Sequence, residues 1–363
     1  MIKPPLGKCP FGWGRKAFVV ALLGAVVVLL GVGFRGGARG QQVKDEGARG
    51  RFPGHVFVWA DGGQVAGVLS VDPNSDLWTR VSQLASWSSR VSPDGTKMIC
   101  PPILPPRNAS LSTYIVPLAE DGEPIRVDVP AVPGLNYVTW SPDGRHVLVS
   151  VSAAASEYAK FETWRFAADG TGKTRLPIPS TECVLDWSRD GKWLLTQSAR
   201  APWNTADIRS VMKRPCYLMR PDGSDERLVV PAPETEGLPA DVRLTRGHRF
   251  APDGRSLVYL EGFDVQVDGR MILCLRLCVI SVDGKDRRVV RDGSARARPM
   301  TAAWSPDGNW LAVCIHELKP GADLKTPRIG DSVPRIELLD KTGSTRKTLV
   351  LLPSPMEQVV DWR

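Results

Sequence analysis

Histidine is scarce in this 363-residue chain: His55, His146, His248 and His316 are all there is, and no His-x-x-x-His or comparable metal spacing joins them. The sequence has no Gly-x-Ser-x-Gly elbow, which leaves a serine hydrolase without its nucleophile signature. No glycine-rich loop follows a strand and opens a helix, so nothing marks a nucleotide phosphate cradle. None of the seven cysteines forms a Cys-x-x-Cys pair. Cys100, Cys183, Cys216 and Cys314 fall in apolar strand-like runs where a thiol acts as a small hydrophobe, so buried thiols are expected rather than a disulfide framework. An excess of one charge is also missing from most of the chain. The net +8 is concentrated in residues 1–51, which hold nine cations against two anions, and the rest is nearly neutral. A neutral body lacks the basic footprint of a nucleic-acid binder.

One long apolar run is present. All 18 residues from Ala17 to Phe34 are Ala, Val, Leu, Phe or Gly, with four cations before them and Arg35 and Arg39 after. A helix of that length reaches about 27 Å, enough for a hydrocarbon core. Two readings stand: a retained transmembrane anchor, and a signal h-region cleaved near Gly31-Val32-Gly33 or Ala38-Arg39-Gly40, neither of which is the preferred Ala-x-Ala. The anchor is favoured. Cations flank both ends and orient the span weakly, but a first apolar segment behind a short basic head (1–16) leaves that head in the cytoplasm and the body outside. No cysteine follows the run to carry a lipid. Residues 35–51 read as a flexible linker.

Gly 34 and Pro 31 are abundant, which disfavours a helical bundle and suits short strands joined by tight turns. Self-comparison locates those turns. Ser-Pro-Asp-Gly or a near copy recurs at residues 92–95, 141–144, 188–191, 251–254 and 305–308, each between apolar runs, with Trp140, Trp187, Trp304 or Phe250 immediately before four of them. Pro fixes φ for the second turn position, Asp bonds nearby amides and Gly accepts positive φ. Asp94, Gly95, Asp143, Gly144, Asp190, Gly191, Asp253, Gly254, Asp307 and Gly308 are therefore turn residues, not ligands or acids. A second family of hairpins turns at Asp61-Gly62, Asp121-Gly122, Asp169-Gly170, Asp222-Gly223, Asp283-Gly284 and Thr342-Gly343. Motif aspartates are spaced 49, 47, 63 and 54 residues apart. Two hairpins per repeat make a four-stranded antiparallel sheet. The expected fold is all-β, a six-bladed β-propeller over residues 52–363 preceded by one N-terminal hydrophobic helix. The final Val359-Val360-Asp361-Trp362-Arg363 copies Val184-Leu185-Asp186-Trp187-Ser188, so the last strand should close the ring beside the Val56–Val68 hairpin. That composite sheet lacks an obvious second strand and is expected to have three.

The Trp-Ser-Pro-Asp-Gly hairpins, followed by Met219-Arg220-Pro221-Asp222-Gly223-Ser224-Asp225-Glu226-Arg227-Leu228, resemble the WD40-like repeats of the TolB β-propeller family over most of residues 52–363. The stretches 184–195 and 247–259 also resemble repeat proteins abundant in planctomycete-type bacteria. The resemblance implies the fold; its members include periplasmic accessory proteins, the propeller domains of prolyl-oligopeptidase-type peptidases and a few lyases, so it implies no single activity.

Both hairpin turns of a sheet lie at one end, which leaves the longer connections at the other. These are 101–113, 152–162, 199–215, 231–247, 261–270, 291–301 and 316–334, and a binding surface is expected there. Arg107, Arg200 and Trp203, with Phe263 as a fourth, are the side chains there best suited to anchor a partner. Asp225-Glu226 reads as a solvated corner and Glu234 and Glu236 as a proline-rich loop. A lyase would need His248 or His316 drawn into a cluster, against the plainer reading of surface histidines. No catalytic, cofactor or metal residue is assigned. The expected function is a non-catalytic, membrane-tethered or exported propeller of the cell envelope that binds a protein or envelope component through its loop face. The alternatives are a propeller enzyme acting on polysaccharide or peptide, and a cytoplasm-facing tethered scaffold. Mass spectrometry of the mature protein combined with protease shaving of intact cells separates these: an intact N-terminus and an externally digestible body are expected, and a protected body would turn the protein to the cytoplasmic side.

Overall fold

In a computed structural model, the described residues are 52–61, 67–83, 88–101, 112–118, 122–129, 136–152, 160–198, 200, 212–233, 235, 237–325, 330–349 and 356–363. The apolar run 17–34 and its flanks lie outside them, and no described helix is long and apolar enough to cross a membrane.

The chain builds six four-stranded antiparallel sheets in sequence order. The first opens with β1 (Val56–Asp61), β2 (Gly67–Val71) and β3 (Trp78–Ser82). The second holds β4 (Arg90–Val91), β5 (Lys97–Cys100), β6 (Thr113–Pro117) and β7 (Ile125–Val127). The third holds β8 (Tyr137–Trp140), β9 (His146–Ser152), β10 (Phe161–Ala167) and β11 (Thr174–Arg175). The fourth holds β12 (Glu182–Trp187), β13 (Leu194–Ser198), β14 (Cys216–Met219) and β15 (Arg227–Val230). The fifth holds β16 (Val242–Phe250), β17 (Ser256–Val267), β18 (Arg270–Ser281) and β19 (Arg288–Arg291). The sixth holds β20 (Ala297–Trp304), β21 (Trp310–Leu318), β22 (Ser332–Asp340) and β23 (Thr345–Leu349). Finally β24 (Met356–Trp362) returns to pair with β1 as the innermost strand of the first blade.

This corrects the expectation of a three-stranded closing sheet. Its order is β24-β1-β2-β3, so Val56–Val68 belongs to the second and third strands, and the outer hairpin of that blade turns at Asp72–Asp76. Strand β3 escaped the sequence because its side chains are half-buried or exposed and show no alternation. Segment 261–270, expected as a loop, is mostly strand: β17 and β18 pair continuously from Ser256 with Ser281 to Val267 with Arg270.

The Ser-Pro-Asp-Gly turns are built as their chemistry requires. In the second, third, fourth and sixth blades the serine Oγ donates to the aspartate Oδ1 and accepts the amide five residues on, as Lys97 N to Ser92 Oγ at 2.9 Å. The aspartate also accepts the amide two residues on in all five turns. The motif glycines have φ between 67 and 74°. Burial is the largest single influence on the Asp94 carboxyl and raises it, but the bonds from Ser92 and Thr96 together outweigh it and hold it below the usual range.

The hydrophobic core is six cores. Each apolar cluster lies between two neighbouring blades, such as Phe57, Val91, Met98, Val116 and Val360 between the first and second, and Val258, Leu277, Trp304 and Val313 between the fifth and sixth. The cluster sealing the ring joins Val58, Leu69 and Trp362 of the first blade to Cys314, Ile336 and Leu338 of the sixth. Cys100, Cys183, Cys216, Cys274, Cys278 and Cys314 are buried thiols, and burial pushes Cys183 up to about 12.

Ring closure is tightened at the termini. His55 N donates to Arg363 O at 2.5 Å, Arg363 N donates to His55 O at 3.0 Å, and Trp362 Nε1 donates to Pro53 O at 2.6 Å. Gly54 makes this approach possible, because a Cβ there would stand 2.1 Å from Arg363 O, at φ +63°. Gly54→Ala is expected to cost about 2 kcal/mol or more from clash plus left-handed strain. Gly254→Ala, at φ +67° with nothing within 4 Å of the added methyl, should cost about 1 kcal/mol. Urea titrations of both variants check this, and equal costs would remove the closure argument.

Candidate functional site

One position is equivalent in each innermost strand: the residue two before the turn serine or its counterpart. In blade order it is Asp361, Arg90, Thr139, Asp186, Arg249 and Ala303. The series is twofold, Asp-Arg-small followed by Asp-Arg-small. All but Ala303 line a cavity of about 160 Å³ where the six blades converge. Above them the wall holds Trp140, Trp187, Phe250 and Trp304, and the turn prolines Pro93, Pro142, Pro252 and Pro306. In the fourth blade the proline is replaced by Arg189, whose Nη1 reaches the Pro306 carbonyl at 2.8 Å.

The two aspartates do equivalent work. Asp361 accepts Trp362 N at 3.0 Å and, from the next blade, Val91 N at 3.2 Å. Asp186 accepts Trp187 N at 2.9 Å and, from the next blade, Phe250 N at 2.9 Å. Thr139 Oγ1 donates to Asp186 at 3.2 Å, and Arg363 Nη2 to Asp361 at 3.1 Å. Each carboxylate thus staples adjacent blades where the sheets alone make no ladder.

The side chains of Arg90, Arg189, Arg249 and Arg363 line the same cavity as these two carboxylates. Burial and the neighbouring Arg249 draw Arg90 down to about 9, with Asp186 and Asp361 opposing. Burial likewise lowers Arg249, whose Nη1 is 3.8 Å from Asp361. The cavity is basic and rimmed by apolar rings. Ser141, on its wall, is committed to its own turn through Asp143 and the His146 amide. Among the described residues no group of three or more His, Cys, Asp or Glu is placed to hold a metal.

Of the anchors expected from sequence, Arg200 and Phe263 are not among the residues lining this cavity. Arg107 and Trp203 are outside the described residues, as are Glu234 and Glu236. Arg200 is exposed, but its Nη2 contacts Glu226 at 2.6 Å and Glu182 at 3.3 Å, and its guanidinium lies 5.4 Å from the Tyr217 ring centre. Phe263 is on β17 with Arg276 stacked 4.8 Å from its ring centre. His248 is buried and stacked on Tyr259 at 5.4 Å, which corrects the expectation of a surface histidine, and burial pulls it down to about 3. His316 Nδ1 stands 3.3 Å from Ser332 Oγ.

Sequence reading passed over the buried carboxylates. Glu261, fully buried, receives Arg276 Nε at 2.8 Å, Arg287 Nε at 2.7 Å and Tyr259 Oη at 2.7 Å. Burial raises its pKa, but those bonds outweigh it and bring it down to about 2. The available signal was a glutamate directly after the apolar run Leu257–Leu260. Asp186 and Asp361 had a stronger signal, the shared Asp-Trp pair of the two copied strands.

No family model matches the chain, and no curated protein matches it. Solved structures do match. TolB from Acinetobacter baumannii is similar with a TM-score of 0.56 and 13% identity over 86% of this chain and 68% of that one. A putative TolB from Agrobacterium tumefaciens is similar with a TM-score of 0.50 and 19% identity over 84% and 91%. At such identities the likeness is one of fold: this chain is a TolB-like six-bladed propeller.

Glu182 gives the pH test of this region. Its side chain is fully buried, and burial outweighs Arg200 to lift its pKa from 4.5 to about 7. The folded state therefore holds a proton that the unfolded state releases, so its stabilisation is complete below pH 4.5 and is lost as pH rises through about 7. The wild type is expected to lose roughly 2–3 kcal/mol more than Glu182→Gln across that window. Denaturant midpoints at pH 4.5 and 8 measure it; parallel pH profiles would contradict it.

Proposed function

We propose that this chain is a non-catalytic, envelope-displayed propeller that binds a protein partner, and that it does so at the turn-end cavity. The observation carrying this reading is that all six blades contribute to one basic cavity whose carboxylates are already engaged in holding the blades together. A carboxylate that accepts two backbone amides is poorly placed to exchange protons with a substrate. The wall holds four arginines and three tryptophans, side chains that carry binding energy when a partner desolvates them. The apolar run 17–34 between cations supports export or tethering, and the TolB-like resemblance, whose family includes periplasmic accessory proteins, supports an envelope location. Against an enzyme reading stand the missing nucleophile elbow and the lack of a metal-ligating group among the described residues.

The opposite end keeps a claim through the connections expected there, so the test compares the two ends. A photo-crosslinker placed at Arg189, exposed beside the cavity, is expected to trap a discrete envelope protein in intact cells. The same group at Lys319, exposed at the far end of β21, is expected to trap none. Crosslinking from Lys319 alone would move the partner to the loop face, and no adduct from either position would refute the binding role.

A further inference from the structure

Two buried donors in the wall of the turn-end cavity have no acceptor among the described residues: Arg90 Nε and Trp304 Nε1. The contrast with their repeats is direct. The indole N–H of Trp140 donates to Arg90 O at 2.9 Å, that of Trp187 to Gly191 O at 3.1 Å, and that of Trp362 to Pro53 O at 2.6 Å. Only in the sixth blade does the same position leave its N–H unmatched. Buried donors without acceptors are costly, and here both unmatched groups are donors while the cavity's carboxylates are occupied. The shortage is therefore of acceptor oxygens.

We infer that the turn-end cavity is a carboxylate site, which receives an aspartate or glutamate side chain or the C-terminal carboxylate of a peptide segment of the partner. This rests on the reading of the chain as a protein binder. Three features select the ligand. Four guanidiniums exceed two carboxylates, so an added negative charge is favoured, and it would relieve the mutual repulsion of Arg90 and Arg249. A dianion would face Asp186 and Asp361 at short range, which favours a single charge over a phosphate. A space of about 160 Å³ is close to one that admits a benzene-sized group (roughly 150 Å³), so a carboxylate with two or three carbons fits while the peptide backbone rests on the proline rim.

The test uses the full chain in detergent and peptide-observed NMR, with acetyl-Gly-Glu-Gly-amide, its Gln counterpart and inorganic phosphate as probes. The Glu peptide is expected to bind at least about tenfold more tightly than the Gln peptide, and more tightly than phosphate. Trp304→Phe keeps the ring and removes the donor; it is expected to leave the melting temperature unchanged or raised and to weaken the Glu peptide about fivefold to tenfold. Arg363→Gln, which alters a partly exposed terminal residue, should weaken it as well. Equal binding of the Glu and Gln peptides, phosphate binding more tightly, or full affinity in Trp304→Phe would each overturn the inference. A partner crosslinked at Arg189 together with no discrimination among the probes would defeat the carboxylate site while leaving the binding role intact.

Discussion

The pairing of β24 with β1 is the constraint on which this molecule depends. It joins residues about 300 positions apart in sequence, and closing a loop of that length costs about 5 kcal/mol of chain entropy beyond the constant term. What offsets the cost is that one strand completes two packing surfaces. Trp362 and Val359 fill the core against the sixth blade, and Val360 fills the core against the second. Without β24 the first blade would be an open sheet with two of the six inter-blade cores unfinished. Closure also brings Asp361 and Arg363 to the cavity, so the ring and the site are completed by the same residues.

Charge in this interior is governed by how many partners each group can gather. Glu261 has three donors and stays ionised despite full burial, whereas Glu182, equally buried, shares Arg200 with Glu226 and retains its proton to higher pH. The cavity arginines follow the same rule with the sign reversed. Burial lowers both Arg90 and Arg249 while Asp186 and Asp361 oppose it, and the two aspartates are at the same time divided among backbone amides. A site of this kind is preorganised for an incoming anion, since its dipoles and charges are fixed by blade packing.

The turns were legible because proline, aspartate and glycine each answer a local backbone demand, and five copies repeat the demand in the same order. The blade number followed from their spacing. The closing strand followed from a five-residue copy, yet β3 did not, since Trp78–Ser82 lies on the solvent side and carries no periodic pattern. The long fifth-blade hairpin was hidden by Asp264 and Gln266, polar residues on a strand that extends past the core, and by Asp268 in its turn. The cavity was hidden for a different reason. Its wall draws a few residues from each of the six blades, and contacts such as Asp186 to Phe250 or Asp361 to Val91 span 64 and 270 positions. Reading the copied Asp-Trp pairs as a radial position, and aligning Arg90 and Arg249 to it, would have shown the ring of charges; the unmatched indole of Trp304 needed coordinates.

The first described residues leave the ring from the same end as the cavity. Phe52 packs edge-on against Trp310 at 4.8 Å, and its amide donates to the Asn74 side chain at 2.8 Å, beside the outer turn of the first blade. Mechanically, tension applied at residue 52 along the strand axis is carried by β1, whose six register pairs with β24 and five with β2 are loaded together in shear. Such a ladder yields only when many bonds fail at once, so the fold resists a steady pull at this point far better than it would a peeling force on an outer strand.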